Sequence, residues 1–203
     1  MLGEESVDCG KVYVDGYANA VVNKLVPGIT GALFSPSTTG LSPSVNYDPK
    51  YDYDKNKKPL DKSRLKVSDL NYVTINEKNG YIIIKLKANA KKGSSLPGMD
   101  SQGKLFTTFG SLKKTIDSMS IITFSKGTSK DNLSVNYKDG YAIIKINPKT
   151  MKIVSADYVL KIDVKLTHMN IAVIKDKTAT TKVTFKTHFP ASKKYLKNTK
   201  DIE

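Results

Sequence analysis

The sequence has few of the residues that disulfide bonding and catalysis require. It contains one cysteine, Cys9, so no disulfide can form within the chain. It has two histidines, no tryptophan, no Gly-x-Ser-x-Gly motif, no glycine-rich phosphate loop and no Cys/His spacing typical of a metal site. Catalysis needs groups that titrate or attack near neutral pH. We therefore expect a protein that is not an enzyme, with no catalytic residue, no metal and no cofactor.

Long apolar runs are missing as well. No stretch approaches the roughly 18 apolar residues of a membrane-spanning helix, so no transmembrane segment is expected. The N-terminal stretch MLGEESVDCGKV has neither the basic nor the apolar region of a signal peptide. Either the protein is not exported by that route or the chain is a processed form, and its location stays open.

Arginine is nearly absent from a strongly basic chain. The net charge is +14, yet Arg64 is the single arginine among 33 basic residues. Residues 1–48 carry a net charge of −3, so the remaining residues carry +17. This excess indicates a polyanionic neighbour such as nucleic acid, an acidic glycan or an acidic protein surface. Nucleic-acid recognition favours the planar guanidinium over the lysine ammonium, so the lysine bias favours solubility over specific nucleic-acid binding.

By composition the chain divides into four segments. Residues 1–34 are predicted to contain a short helix that packs on the core, with Asp15 as its N-cap. Residues 35–63 hold four of the eight prolines and no periodicity, which predicts a long extended arm or linker. Residues 64–189 are predicted to form an antiparallel β domain, and residues 190–203 a basic C-terminal tail.

Three tyrosines of the extended arm, Tyr47, Tyr51 and Tyr53, are candidate partner contacts. Tyrosine joins an apolar ring to a polar hydroxyl, which suits interfaces with proteins or carbohydrates. A structureless stretch this long is typical of function or of wrapping around a partner. The alternative is that tyrosine is simply a favourable strand and edge residue.

Two stretches of the β domain resemble each other. NEKNGYIIIKLK, residues 76–87, recurs as NYKDGYAIIKIN, residues 136–147. The Asn-Gly at 79–80 and the Asp-Gly at 139–140 stand between alternating runs, which predicts two hairpins. Glycine serves the turn and isoleucine the buried face, so neither copy has a residue left for chemistry. The alternation predicts a mainly β fold, an antiparallel sandwich or a rolled β-sheet with one or two short helices.

Lysines recur on the polar phase of the predicted strands. They suggest a basic sheet face for a polyanion, whereas edge protection and solubility are the usual reasons for lysine on exposed strands. We favour the second interpretation because Asp157 and Asp163 interrupt the row. The candidates for the basic face are Lys85, Lys145, Lys161, Lys165, Lys182 and Lys186.

Three classes of function remain open. The first is a non-catalytic β protein that assembles with itself or a protein partner, as a surface, secreted or virion component. The second is a carrier of an apolar ligand such as a lipid, since a long antiparallel meander could roll around a cavity. The run DGYAIIKI…ADYVLKIDVKL, between residues 139 and 166, resembles tubular lipid-binding proteins of the takeout and mite-allergen kind. The chain lacks their long C-terminal helix, and no family is identified. The third is binding of nucleic acid or acidic glycan through the lysines.

Overall fold

The alternation of apolar and polar residues becomes a single antiparallel sheet. A computed structural model describes residues 3–24, 65–90, 101–105, 116–117 and 119–194. Strands make up 60% of these residues and form one ten-stranded sheet that is not closed, with two short helices. This confirms the mainly β, antiparallel class. A sandwich would need a second sheet, and all described strands belong to this one. The arm at 35–63, with Tyr47, Tyr51 and Tyr53, lies outside the described residues.

The sheet is built on its two longest strands, β9 (Lys152–Ile171) and β10 (Ile174–Phe189), which form one long hairpin. The shorter strands are β1 (Glu4–Cys9), β2 (Tyr13–Val14), β3 (Tyr17–Ala18), β4 (Leu70–Lys78), β5 (Tyr81–Ala88), β6 (Ile122–Phe124), β7 (Leu133–Tyr137) and β8 (Tyr141–Asn147). The two short helices are Ser101–Leu105 and Ser129–Asn132, residues 20–24 form a further helical turn in the N-terminal segment, and a 3-10 turn spans Val67–Asp69.

Short strands pair along both outer edges of the long hairpin. β1 and β2 pair with β10, while β8, β7 and β6 follow one another along β9. From one end of the sheet to the other the order is β3-β2-β10-β9-β8-β5-β4. Among the described strands, β3 and β4 are thus the two ends of this order.

The core lies on one face of the long hairpin. His168, with φ 49°, introduces a bulge that brings Leu166 and Met169 to the same side, although strict alternation would separate them. The covering residues come from outside the hairpin, so packing joins the N-terminal segment to the sheet. The main core residues are Val12, Val22, Ile116, Met119, Leu133, Val135, Leu160, Ile162, Val164, Leu166, Met169, Ile171, Val183 and Phe185.

Only one of the two predicted hairpins forms. The Asn79-Gly80 turn has φ values of 53° and 76°, and it joins β4 to β5 as predicted. The second prediction is wrong: β7 and β8 do not pair with each other, and both pair with β9. β9 is long enough to pair with both strands, one after the other. The Asp139-Gly140 dipeptide therefore lies between two strands that share β9 as their neighbour.

The two similar stretches pair with each other. β5 and β8 are antiparallel neighbours, and Ile84 lies opposite Ile144, its equivalent in the other copy. A local two-fold axis therefore passes through this pair and relates the strand part of one copy, residues 81–87, to that of the other, residues 141–147. The repeat is one symmetric strand pair within a single sheet, rather than two separate sites.

The N-terminal segment contributes strands as well as a helix. Asp15, predicted as a helix N-cap, instead forms with Gly16 the turn between β2 and β3, where both residues have positive φ values. Residues 20–24 are helical, and the Asn19 side chain accepts the Val22 N–H at 3.0 Å. The prediction of a cap at Asp15 was wrong because an Asp-Gly pair also favours a tight turn.

Candidate functional site

All six lysines predicted for a basic face lie on one face of the sheet. Strand register decides this: Lys85 lies opposite Ile143 and Lys145 opposite Ile83, so both point to the side that carries the odd-numbered residues of β8. That side continues through the odd-numbered residues from 155 to 165 of β9 and the even-numbered residues from 180 to 188 of β10. It is the side away from the core, and we call it the lysine face.

On the long hairpin the lysines alternate between strands. On the lysine face, successive β9–β10 residue pairs are about 6.7 Å apart along the strands. One member of each of four successive pairs is a lysine. We call these four residues the lysine ladder. The successive pairs are Lys165 with Thr180, Lys182 with Asp163, Lys161 with Thr184, and Lys186 with Val159. All four lysines are exposed.

At the other end of the lysine face, lysines lie over tyrosine rings. The Lys145 Nζ atom is 3.9 Å from the ring centre of Tyr81, and the Lys85 Nζ atom is 5.6 Å from that of Tyr141 and 5.9 Å from that of Tyr72. The first two contacts are equivalent under the local two-fold axis. Tyr81 and Tyr141 were not among the candidates for the basic face, although each repeated copy places tyrosine four residues before lysine.

Several carboxylates reduce the positive charge of the face. Asp163 pairs with Lys138, and Asp139 pairs with Lys87 at 3.0 Å. The hydrogen bond from Lys87 lowers the pKa of Asp139 below its ordinary value. The lysines of the ladder still outnumber the carboxylates between them.

A groove of about 640 Å³ opens on the lysine face where β1 meets β2. Its lining includes Lys11, Tyr13, Asn136, Lys165 and Lys182. Two of the six predicted lysines therefore meet in one concave site. Lys11 and Tyr13 were not among the candidate site residues, because nothing local indicates that residues 11–13 run along the outer edge of β10, near residues 165 and 182.

Local backbone contacts shape the rim of this groove. The Gly10 N–H donates to the Lys182 carbonyl oxygen at 2.8 Å, and the chain then departs from regular pairing before β2. This turns Lys11 to solvent and Val12 into the core. The Asn23 side chain accepts the Val12 N–H at 2.8 Å and donates to its carbonyl at 2.9 Å. The Asn23 side chain thereby holds the rim of the groove through both the N–H and the C=O group of Val12.

The opposite face of the sheet is unevenly covered. Near the β9–β10 hairpin it forms the core, but at β4 the side chains of Val73 and Ile75 are 42% and 66% exposed. β4 pairs with β5 alone among the described strands. Eight of its nine residues are exposed. Among the strands that the structure describes, the sheet therefore ends at β4 in an open edge next to an apolar surface.

A small apolar cavity lies on the covered side. It measures about 90 Å³ and is lined by residues including Cys9, Val12, Val22 and Met169. Burial, more than the charge of Asp8, raises the pKa of the Cys9 thiol to about 11. Sites for drug-sized ligands span about 300–1,000 Å³, so this cavity gives lipid carriage no support.

The two histidines take part in separate contacts. The His168 Nδ1 atom lies 2.7 Å from an Asp176 oxygen that also accepts the Ser125 hydroxyl at 2.8 Å. His188 lies 2.6 Å from Asp157, about 35 Å along the hairpin from His168. Ser125 donates to the aspartate rather than to the imidazole, so these groups do not form a nucleophile–base pair. Within the described ranges no three His, Cys, Asp or Glu side chains gather as metal ligands.

No helix in the described part of the chain has the length and apolar character needed to cross a membrane. Comparison of the chain with protein-family models, curated proteins and solved structures found no match in any of the three. The lysine face, its groove and the open edge are therefore the features from which a function can be inferred.

Proposed function

We propose that the protein acts by assembly, without catalysis, and that the open edge at β4 is its contact. The observation that carries this proposal is the exposure of nearly the whole strand. Its segment LNYVTIN, residues 70–76, has no charge, proline or glycine, which are among the features by which proteins protect free edges, and its one irregularity in pairing lies at the Leu70–Tyr72 end. The rest of this edge offers a row of backbone groups to another strand.

The backbone of β4 is oriented for such pairing. The Asn79-Gly80 turn makes Lys78 and Tyr81 a hydrogen-bonded pair, and bonded pairs then alternate along the hairpin. The Ala88 N–H supports this phase because it donates to Gly140, away from β4. Hence the N–H and C=O groups of Val73 and Ile75 point away from β5, toward the free edge.

The partner that fits is a second copy of the chain. An antiparallel pair centred on Thr74 places Val73 of each copy opposite Ile75 of the other, and Thr74 opposite Thr74. The sheet and its apolar face then continue across a two-fold axis, with no like charges opposed. This arrangement would bring into cross-strand contact side chains that are 42% and 66% exposed in the single chain.

Light scattering coupled to size exclusion tests the assembly. We expect a dimer for the wild type and a monomer for Ile75→Lys, because lysine on the edge opposes strand pairing. Val173→Lys is the matched control: Val173 is 83% exposed in the β9–β10 turn and should leave the dimer intact. A wild type that is monomeric at every concentration would contradict assembly through this edge.

Disulfide trapping tests the register. In a Cys9→Ala background, Thr74→Cys should form a cross-linked dimer under mild oxidation. A non-hydrogen-bonded pair has Cα atoms about 4.5 Å apart, within the range that a disulfide spans. Asn76→Cys is the control, because that position would face Tyr72 of the other copy. Equal cross-linking at both positions would refute the Thr74-centred register.

A further inference from the structure

The groove on the lysine face combines three kinds of recognition group. Lys11, Lys165 and Lys182 supply positive charge, the Tyr13 side chain is 42% exposed, and Asn136 supplies an amide. Asp163 is the one carboxylate among the described lining residues, and it is paired with Lys138. The groove therefore has a net positive charge next to an accessible aromatic ring.

The positive charge does not stop at the groove. Lys165 and Lys182 are the first two members of the lysine ladder, which continues to Lys161 and Lys186. Successive lysines are about 6.7 Å apart along the strands. A ligand that begins in the groove and extends over the ladder is therefore a chain with repeated negative charges, rather than a single small anion.

We propose that the groove and the lysine ladder bind an acidic polysaccharide. A sugar ring stacks on Tyr13, its hydroxyls bond Asn136, and sulfate or carboxylate groups accept charge-assisted hydrogen bonds from Lys165 and Lys182. The groove is formed in advance, because Asn23 holds the backbone of Val12 beside both Lys11 and Tyr13. A preformed rim lowers the entropy cost of binding.

The composition of the groove favours a polysaccharide over a nucleic acid. Its cations are lysines, whereas recognition of base edges most often uses the bidentate arginine fork. Single-stranded nucleic acid is also held by stacking successive bases on several aromatic side chains. Tyr13 is the one aromatic residue among the described lining residues of the groove.

Calorimetric titration with a heparin oligosaccharide tests the proposal, with a neutral dextran oligosaccharide and single-stranded oligodeoxythymidine as comparison probes. The double variant Lys165→Gln/Lys182→Gln should lose at least about tenfold in affinity for heparin, as expected for two charge-assisted hydrogen bonds. Its matched control is Lys149→Gln/Lys152→Gln, which removes the same charge at the β8–β9 turn. The control should stay within about twofold of the wild type, because screening limits the effect of distant charges.

Variants of Tyr13 distinguish a specific binding site from non-specific electrostatic attraction. Tyr13→Ala should weaken heparin binding several-fold, while Tyr13→Phe, which keeps the ring, should bind like the wild type. Equal losses in the two lysine double variants would overturn the proposal, since net charge alone would then explain binding. Tighter binding of oligodeoxythymidine than of heparin would also overturn it. Ile75→Lys should bind heparin normally, so failure of the β4 assembly leaves this test intact.

Discussion

The β9–β10 hairpin and the β4–β5 hairpin have the same apolar alternation but differ in what covers them. Ile162 on β9 is 1% exposed, whereas Ile75 on β4 is 66% exposed. The core cluster that buries Ile162 includes Val12, Val22 and Met119, which lie outside that hairpin. Alternation therefore specifies a strand and its apolar face, but segments far away in sequence determine whether that face is buried.

The outer edges of the two hairpins differ in the same way. The edge of β10 is paired with β1 and β2, whereas β4 has no second partner among the described strands. The covered hairpin thus provides the stability of the molecule, and the open one provides the surface that we assign to assembly. The following measurements test this division of roles.

The largest contrast is expected from truncating one isoleucine at each end. Ile162→Ala should lower the free energy of unfolding by about 2–5 kcal/mol, because it leaves a cavity in the core. Ile75→Ala should change it by no more than about 0.5 kcal/mol in the monomer, as for other exposed positions. Urea unfolding at low protein concentration measures both. Similar losses at the two positions would mean that the apolar face of β4 is covered within the single chain.

The next effect concerns the thiol on the covered side. With a pKa of about 11, raised from 9.0, Cys9 should react with a disulfide reagent about 100-fold more slowly than an ordinary cysteine, because the thiolate is the nucleophile. The matched control is Ser6→Cys with Cys9→Ala, since Ser6 is exposed on the same strand. Equal rates at pH 8 would show that β1 does not seal the core.

A smaller effect is expected at the turn of the open hairpin. Gly80 has φ 76° with open space around it, so Gly80→Ala adds backbone strain alone. We expect a loss of about 1–2 kcal/mol. Gly80→Asn should lose less, because asparagine tolerates this conformation. No loss in global unfolding for Gly80→Ala would show that β4–β5 opens before the β9–β10 hairpin unfolds.

Local chemistry explains which parts of the fold could be predicted from the sequence. The β class and the turn at Asn79-Gly80 follow from two-residue alternation and from a dipeptide that tolerates positive φ. The Asp139-Gly140 dipeptide was misinterpreted because the choice between a hairpin and an interruption depends on β9, which follows it. The pairing of the two repeated stretches with each other likewise depends on residues far apart in sequence, so local patterns do not predict it.

The site was predictable to a similar extent. The alternation within each strand predicted that its lysines lie on the polar side of that strand. The pairing register between strands then joins these polar sides into a single face. The groove could not be predicted, because Lys11 and Tyr13 meet Lys165 and Lys182 only through the pairing of β1 and β2 with β10. The open edge at β4 likewise depends on sheet order, which periodicity does not determine.

The smallest effect is expected at the turn end of the long hairpin, where Asp176 contacts His168 and Ser125. Hydrogen bonds from His168 and then from Ser125 lower the pKa of Asp176 below its ordinary value of 3.8. Because the folded protein favours the carboxylate, this contribution to stability is present above about pH 4 and is lost as the pH falls through the lowered pKa. Asp176→Asn should therefore be slightly less stable than the wild type at pH 6, and the difference should be smaller at about pH 3, below the ordinary pKa of 3.8. The Asp176 side chain is 54% exposed, so solvent screening keeps the effect small. Urea midpoints at the two pH values measure it, and an equal difference at both would show that ionisation of Asp176 is not its cause.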